Sequence, residues 1–261
     1  MTDTIEIRKL TTIKELQEIG KVEEVVWQAS SIPFHQKYTV NNNGGIILGA
    51  FSEEKLIGFS YGFPGFDGVN TYLCSHMLGI LPAYRKNGIG MKMKYKQAEI
   101  AEQIGYDMIT WTFDPLESLN AYLNIHKLGA VGVRYNVDHY GPINDGLNKG
   151  MPTDRIVIEW RWKEKPHTKA TMFNEDNVLL REGAGKKPVL TVKQKLDSDG
   201  YFVAIPKTIQ NLKEEDIELA KKWRYETRKV ITALFSNDYQ ATDLLQTQSN
   251  AISYYYFTKK A

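Results

Sequence analysis

A single cysteine, Cys74, stands among 261 residues. One thiol cannot build an internal disulfide framework or a multi-cysteine metal site, so both are excluded. The histidines His35, His139 and His167 are scattered without ligand spacing, so no metal is expected. A large excess of either charge is missing too: Lys+Arg 33 against Asp+Glu 31 leaves +2. With no basic cluster on one predicted helix face, no nucleic-acid partner is expected. No apolar run approaches the roughly 20 residues that a membrane helix requires. The start, Met1-Thr2-Asp3-Thr4-Ile5-Glu6, has no basic segment followed by an apolar one. A soluble protein of a reducing, cytoplasmic compartment is the expectation, with no membrane partner. No internal repeat or low-complexity segment interrupts the chain.

What is present is enough apolar matter for a sizeable core: 42% of residues are hydrophobic and 11% aromatic. Ile5 and Ile7 suggest a first strand. Thr12-Ile13-Lys14-Glu15 has the capping-box pattern, and Ile13, Leu16, Ile19, Val22 and Val26 follow at helical spacing. After the Asn41–Gly45 turn, Ile46–Phe51 and Lys55–Phe63 read as a β-hairpin. Tyr72–Leu81 is an apolar strand that Pro82 ends. Met91–Ile104 alternates polar and apolar residues as a helix, closed by Gly105. Met108–Phe113 reads as a strand, Leu116–Leu128 as a helix stopped at Gly129, and Ile156–Trp162 as a strand. This order predicts an α/β fold with a mixed sheet rather than a bundle or a sandwich.

The composition changes after Trp162, where Lys163–His167 reads as a polar linker. The expected organisation is therefore a domain over 1–163 and a smaller α/β extension over 164–261, able to cover an acceptor site. In the extension Tyr201–Ile205 reads as a strand. Ile217, Ala220, Trp223, Thr227, Val230, Ile231 and Leu234 mark one stripe of a long helix, with Glu214, Glu215 and Asp216 at its positive end. Strands near Tyr239–Leu245 and Ser253–Phe257 complete it.

The chemistry sits in Leu78-Gly79-Ile80-Leu81-Pro82-Ala83-Tyr84-Arg85-Lys86-Asn87-Gly88-Ile89-Gly90. A strand ends at a proline, a short basic turn follows, and two alternate glycines open a helix. Glycines there let backbone N–H groups approach an anion, and the helix start adds partial positive charge. A Rossmann turn would want a third glycine where Met93 stands, and no Gly-Lys-Ser/Thr of a Walker loop exists in the chain.

Arg-x-x-Gly-x-Gly after such a strand resembles the acyl-CoA motif of the GNAT superfamily of N-acyltransferases. The resemblance covers residues 5–163 in element order and is specific over 78–130. It implies that acyl-CoA is the co-substrate. The backbones of Leu78, Gly79 and Ile80 would hold its pantetheine arm, with the strand splayed from its neighbour. Arg85, Lys86, Asn87, Gly88, Ile89, Gly90 and Met91 would wrap the pyrophosphate, and Asn120, Asn124 and Lys127 on the next helix would complete the set. The Leu78 amide is the implied oxyanion donor. A longer pattern, Ile109–Glu117, Ile125–Ala130 and Pro152–Arg155, resembles a GNAT subgroup with a C-terminal extension that includes amino-acid N-succinyltransferases. Acetyl-CoA or succinyl-CoA as donor and a small-molecule amine, an amino acid, as acceptor are the implied pair; a homodimer is compatible with it.

One departure stands out. The tyrosine that many such enzymes carry a turn before the closing glycine is Ile125 here. Tyr122 is almost a turn earlier, and His126 points about 100° away at 3.6 residues per turn. A non-catalytic acyl-CoA sensor therefore stays open as the alternative. His76, at the strand parity of Leu78, is a candidate base or a structural histidine. Asp114 is a helix cap or an amine contact, and Arg134 and Arg155 are carboxylate receptors or ordinary ion-pair residues.

Overall fold

The computed structural model describes residues 5–27, 32–85, 87–143, 148–164, 172–191, 193, 195–246 and 251–260. Two compact units divide the chain: Met1–Trp111 with Arg161–Lys163, and Thr112–Trp160 with Glu164–Ala261.

In the first unit β1 (Ile5–Lys9) leads to α1 (Ile13–Trp27) and α2 (Phe34–Asn42). Then come β2 (Ile46–Ser52), β3 (Lys55–Phe66), β4 (Thr71–Ile80), α3 (Ile89–Gln103) and β5 (Ile109–Phe113), which crosses the unit boundary. The strands lie in the order β1-β2-β3-β4-β5. All pairs are antiparallel except β4 with β5, which is parallel. The capping box forms as read: Thr12 N–H donates to Glu15 Oε2 at 3.0 Å, and Glu15 N–H to Thr12 Oγ1 at 3.2 Å. Leu16, Ile19 and Val22 then bury against Ile47, Phe59 and Tyr61. Each such side chain removed from water contributes about 2 kcal/mol before entropy is counted. Ile13, expected in the same stripe, is 47% exposed, because it sits in the first turn beyond the sheet's cover. α2 escaped the sequence reading because its apolar residues gather on no stripe: Phe34 and Tyr38 are exposed, and its one buried residue is Lys37.

α3 begins two residues earlier than expected, at Ile89. Its end is a Schellman arrangement, with Gly105 N–H on Glu102 O and Tyr106 N–H on Ala101 O. The positive φ of Gly105, +98°, makes that reversal feasible.

The second unit holds α4 (Ser118–Ala121), β6 (Val131–Asn136), β7 (Arg155–Trp160), β8 (Val178–Glu182), β9 (Pro188–Leu190) and β10 (Gly200–Pro206). It ends with α5 (Ile209–Glu215), α6 (Ile217–Ser236), β11 (Tyr239–Gln246) and β12 (Ile252–Lys259). Its strands run β7-β6-β11-β12-β10-β8-β9. Ala241 of β11 pairs with Gly132 of β6, where a Cβ on the glycine would come within 2.9 Å of the alanine. The chain does cross between units at Lys163–Glu164, but residues 112–160 share a sheet with the C-terminal strands. β6 was missed because Gly132 and the bulge between Gly132 and Arg134 break its alternation. The stripe of α6 is as read, with Ala220, Trp223, Thr227, Val230, Ile231 and Leu234 buried and Asp216 accepting from Leu219 N–H at 2.9 Å.

The helix expected over Leu116–Leu128 is corrected. It is α-helical only at Ser118–Ala121 and continues as a π turn, Tyr122–Lys127. Leu128 N–H reaches back five residues to Leu123 O, which widens the turn, and Gly129 at φ +73° ends it.

Candidate functional site

The loop between β4 and α3 is short and held by its own backbone. Tyr84 N–H donates to Leu81 O and Arg85 N–H to Pro82 O in a short 3-10 turn, Pro82–Tyr84. Arg85 Nε donates to Ile80 O at 3.0 Å, which ties the guanidinium to the end of β4. Gly88 is the N-cap of α3 at φ +71°, a conformation that other residues take at a cost. Open space lies where its Cβ would be. No side chain caps this helix and no acid stands in its first turn. The amides of Ile89, Gly90 and Met91 therefore have no intrahelical acceptor and lie at the helix's partial positive end. Gly90 lies against Leu78 and Ile80: its Cβ would be 3.6 Å from each side chain. Free amides at a helix start are suited to an anion. Asn87 is exposed beside them, and Lys86 lies outside the described residues.

β4 carries a bulge. Tyr61 opposes Met77 and Gly62 opposes Ser75, so His76 is the extra residue. The expected shared parity of His76 and Leu78 is thereby overturned, since an extra residue resets which face follows. The His76 ring sits with Tyr61 and Phe63, at centroid distances of 6.3 and 5.8 Å, whereas Leu78 and Ile80 lie against Gly90. Burial lowers the His76 pKa below its usual value, so the ring is neutral at pH 7. The register between β4 and β5 holds Leu73 opposite Ile109 and Cys74 opposite Thr110 and then ends. The Cys74 thiol is pushed up by burial.

In the second unit the residues considered for acceptor binding are mostly engaged. Asp114 is not the helix cap that was expected: Oδ1 accepts from Leu116 N–H at 2.8 Å in the turn ahead of α4, whose N-cap is Glu117, and Oδ2 accepts from the fully buried Arg224. Arg155 donates to Asp154 O and Asn148 Oδ1, both at 2.8 Å, and stands 3.7 Å from Asp114. Asp114 and Arg155 are thus brought together, while Arg134 is exposed on β6. Asn120 and Lys127 are exposed, and Asn124 is buried with its carbonyl accepting from Ala130 N–H.

The π turn presents a pair that the sequence did not reveal. His126 Nδ1 is 2.7 Å from Asp243 Oδ1, and its ring stacks on Tyr122 at 4.5 Å and 13°. Asp243 is buried and also accepts from Leu244 N–H at 2.8 Å. The partners are 117 residues apart. The sequence hint was that Asp243 is the one acid in β11. Among the described residues no group of His, Cys, Asp and Glu could hold a metal ion, and no helix is long and apolar enough to cross a membrane.

The fold is a mixed α/β sheet with a strand–loop–helix junction at the start of α3, the fold seen in GNAT acyl-CoA N-acyltransferase structures. Residues 11–129 match the sequence profile of the acetyltransferase (GNAT) family. No curated protein matches the chain. Among solved structures, the *Escherichia coli* ribosomal-protein-S18-alanine N-acetyltransferase is similar at TM-score 0.51 and 12% identity, over 64% of this chain and 99% of that one. *Arabidopsis thaliana* NAA60 in complex with a bisubstrate analogue is similar at TM-score 0.50 and 15% identity, over 60% and 98%. At these identities the likeness establishes the fold.

Proposed function

We propose that the chain is a cytoplasmic acyl-CoA-dependent N-acyltransferase that moves an acetyl or succinyl group to the amine of a small molecule, an amino acid. The observation that carries this reading is the uncapped, glycine-led start of α3 beside the end of β4. The amides of Ile89, Gly90 and Met91 hold the pyrophosphate, Arg85 adds charge, and the backbone of Leu78–Ile80 holds the arm. The Leu78 amide receives the thioester oxygen as negative charge develops there.

In the reaction the neutral amine nitrogen bonds to the thioester carbonyl carbon, the C–S bond breaks, and CoA leaves as a thiolate. The amine's surplus proton goes to a base. His76, uncharged at pH 7, has a lone pair for it, directly or through a water. An α-amino group, with a pKa about 7.7–8.0, needs less help than a lysine side chain near 10.4.

A second reading, a non-catalytic acyl-CoA sensor, is favoured by one observation: Ile125, fully buried, stands where many relatives place the tyrosine acid. Thiol release decides between them, with acetyl-CoA and succinyl-CoA each offered to D- and L-amino acids, polyamines and lysine peptides. Amine-dependent release with an amino acid is the expected outcome. CoA binding without release for any amine would favour the sensor.

A further inference from the structure

Two lysines of the first unit are buried, and they are treated differently. Lys37 is paired: its Nζ is 2.7 Å from Glu23 Oε2 and 2.7 Å from Ile32 O. Lys94 on α3 is also enclosed, yet its Nζ hydrogen-bonds a hydroxyl, Ser75 Oγ at 2.8 Å, and lies 3.6 Å from the Trp111 ring centroid, with the Cys74 thiol as its titratable neighbour. Among the described residues no carboxylate stands within ion-pair distance of it. Burial accordingly pulls its pKa down to about 7.

The neighbours of Lys94 are incomplete in the same sense. Gln97, one turn further along α3, is fully buried, and neither its Oε1 nor its Nε2 has a hydrogen-bond partner. Ser60 Oγ on β3 is also buried without a partner. Buried polar atoms are nearly always satisfied in folded proteins, so a cation and an open amide enclosed together call for an anionic guest.

Their location says which guest. Ser75 and Trp111 are the residues directly past the last rung between β4 and β5, Cys74 opposite Thr110. The ammonium therefore stands at the fork where the two parallel strands part. From that fork β4 runs on to Leu78 and Ile80, which touch Gly90 at the start of α3. A CoA whose pyrophosphate rests on Ile89–Met91 and whose arm follows β4 sends its acyl end down toward the fork.

We propose that Lys94, with Gln97 and Ser75, receives a carboxylate at the far end of the acyl group, so that the donor is a dicarboxylic acyl-CoA and not acetyl-CoA. This rests on the acyl-CoA reading above and names the donor class for that same site. One carboxylate oxygen pairs with the ammonium and the other accepts from Gln97 Nε2. An opposite charge at that distance favours the charged lysine, so binding draws a proton from solvent when the free side chain is largely neutral.

The test is calorimetric titration of the full chain at pH 8 with acetyl-CoA, butyryl-CoA and succinyl-CoA, in buffers of different ionisation heat. Succinyl-CoA and butyryl-CoA have equal chain length and differ in the terminal carboxylate. The expected result is at least tenfold tighter binding of succinyl-CoA than of butyryl-CoA, with proton uptake for succinyl-CoA alone. Lys94→Met should erase both the preference and the uptake and keep the butyryl-CoA affinity. Equal affinities of the wild-type protein for the two, or a preference that survives in Lys94→Met, overturns the proposal while CoA binding stands. If none of the three binds, the acyl-CoA reading falls and takes this inference with it. The wild-type comparison alone decides the matter should the variant not fold.

Discussion

Three helices of this chain begin in three ways. α1 is closed by its own sequence, with Thr12 and Glu15 satisfying each other's amides and Arg8 pairing with Glu15. α6 is closed by Asp216, which accepts from Leu219 N–H. Among the described residues no side chain closes α3: Gly88 at its N-cap has none, and its first turn has no acid. The exposed amides and the partial charge are the same in all three. Where the chain supplies the acceptor, the helix start serves stability. Where it withholds one and places Arg85 nearby, the acceptor is left to a ligand, and the helix start serves binding.

The largest expected effect comes from supplying α3 with what it is missing. Gly88→Glu puts a side chain on a left-handed residue, at about 1–2 kcal/mol, and sets a carboxylate before the cradle. With about 1.4 kcal/mol per tenfold, CoA affinity should drop about a hundredfold by calorimetry. Unchanged affinity would erase the distinction between α3 and the other two helices. Removing charge without blocking the cradle should matter less. Arg85→Ala should weaken CoA about tenfold, as a hydrogen bond to a charged group is worth about 1.5–3 kcal/mol and this one is exposed.

The smallest effect falls on a capped helix and leaves CoA affinity alone. Burial alone would raise the Glu15 carboxyl, but the Arg8 guanidinium and the Thr12 and Thr11 amides outweigh it and lower the pKa from 4.5 to about 2. A depressed acid contributes stability that is fully present above pH 4.5 and lost as pH falls toward 2. Glu15→Gln should therefore cost about 1 kcal/mol at pH 7, the usual size of a cap. It should also flatten the fall in melting temperature between pH 4.5 and 2. A variant as acid-sensitive as the parent would remove Glu15 from the account.

Much of the fold was legible because it is local. The capping box, the hairpin of β2 and β3, the Gly105 reversal and the stripe of α6 each need only a few neighbouring residues, and each formed as read. The strand–loop–helix of the candidate site is equally local, and so it stood in the sequence with its residues in order. Features that depend on distant residues did not. The π turn over Tyr122–Lys127 inserts width that a 3.6-residue period does not carry, and with it goes the pairing of His126 with Asp243. The bulge at His76 resets the parity of β4. α3 is the sharpest case: the alternation of polar and apolar residues marks a helix without saying which of them it buries, and Lys94 and Gln97 are buried while Tyr95 is 50% exposed. A polar residue that burial would penalise is placed there only against a pattern, and the pattern is what a sequence reading follows.

The most direct test of the central claim compares two ligands on the wild-type protein: CoA, and pantetheine, which has the arm without the pyrophosphate and nucleotide. The account predicts that CoA binds at least a hundredfold more tightly, because the free amides of α3 and the Arg85 guanidinium have an acceptor only in CoA. Equal affinity for the two, or no binding of CoA, would contradict it.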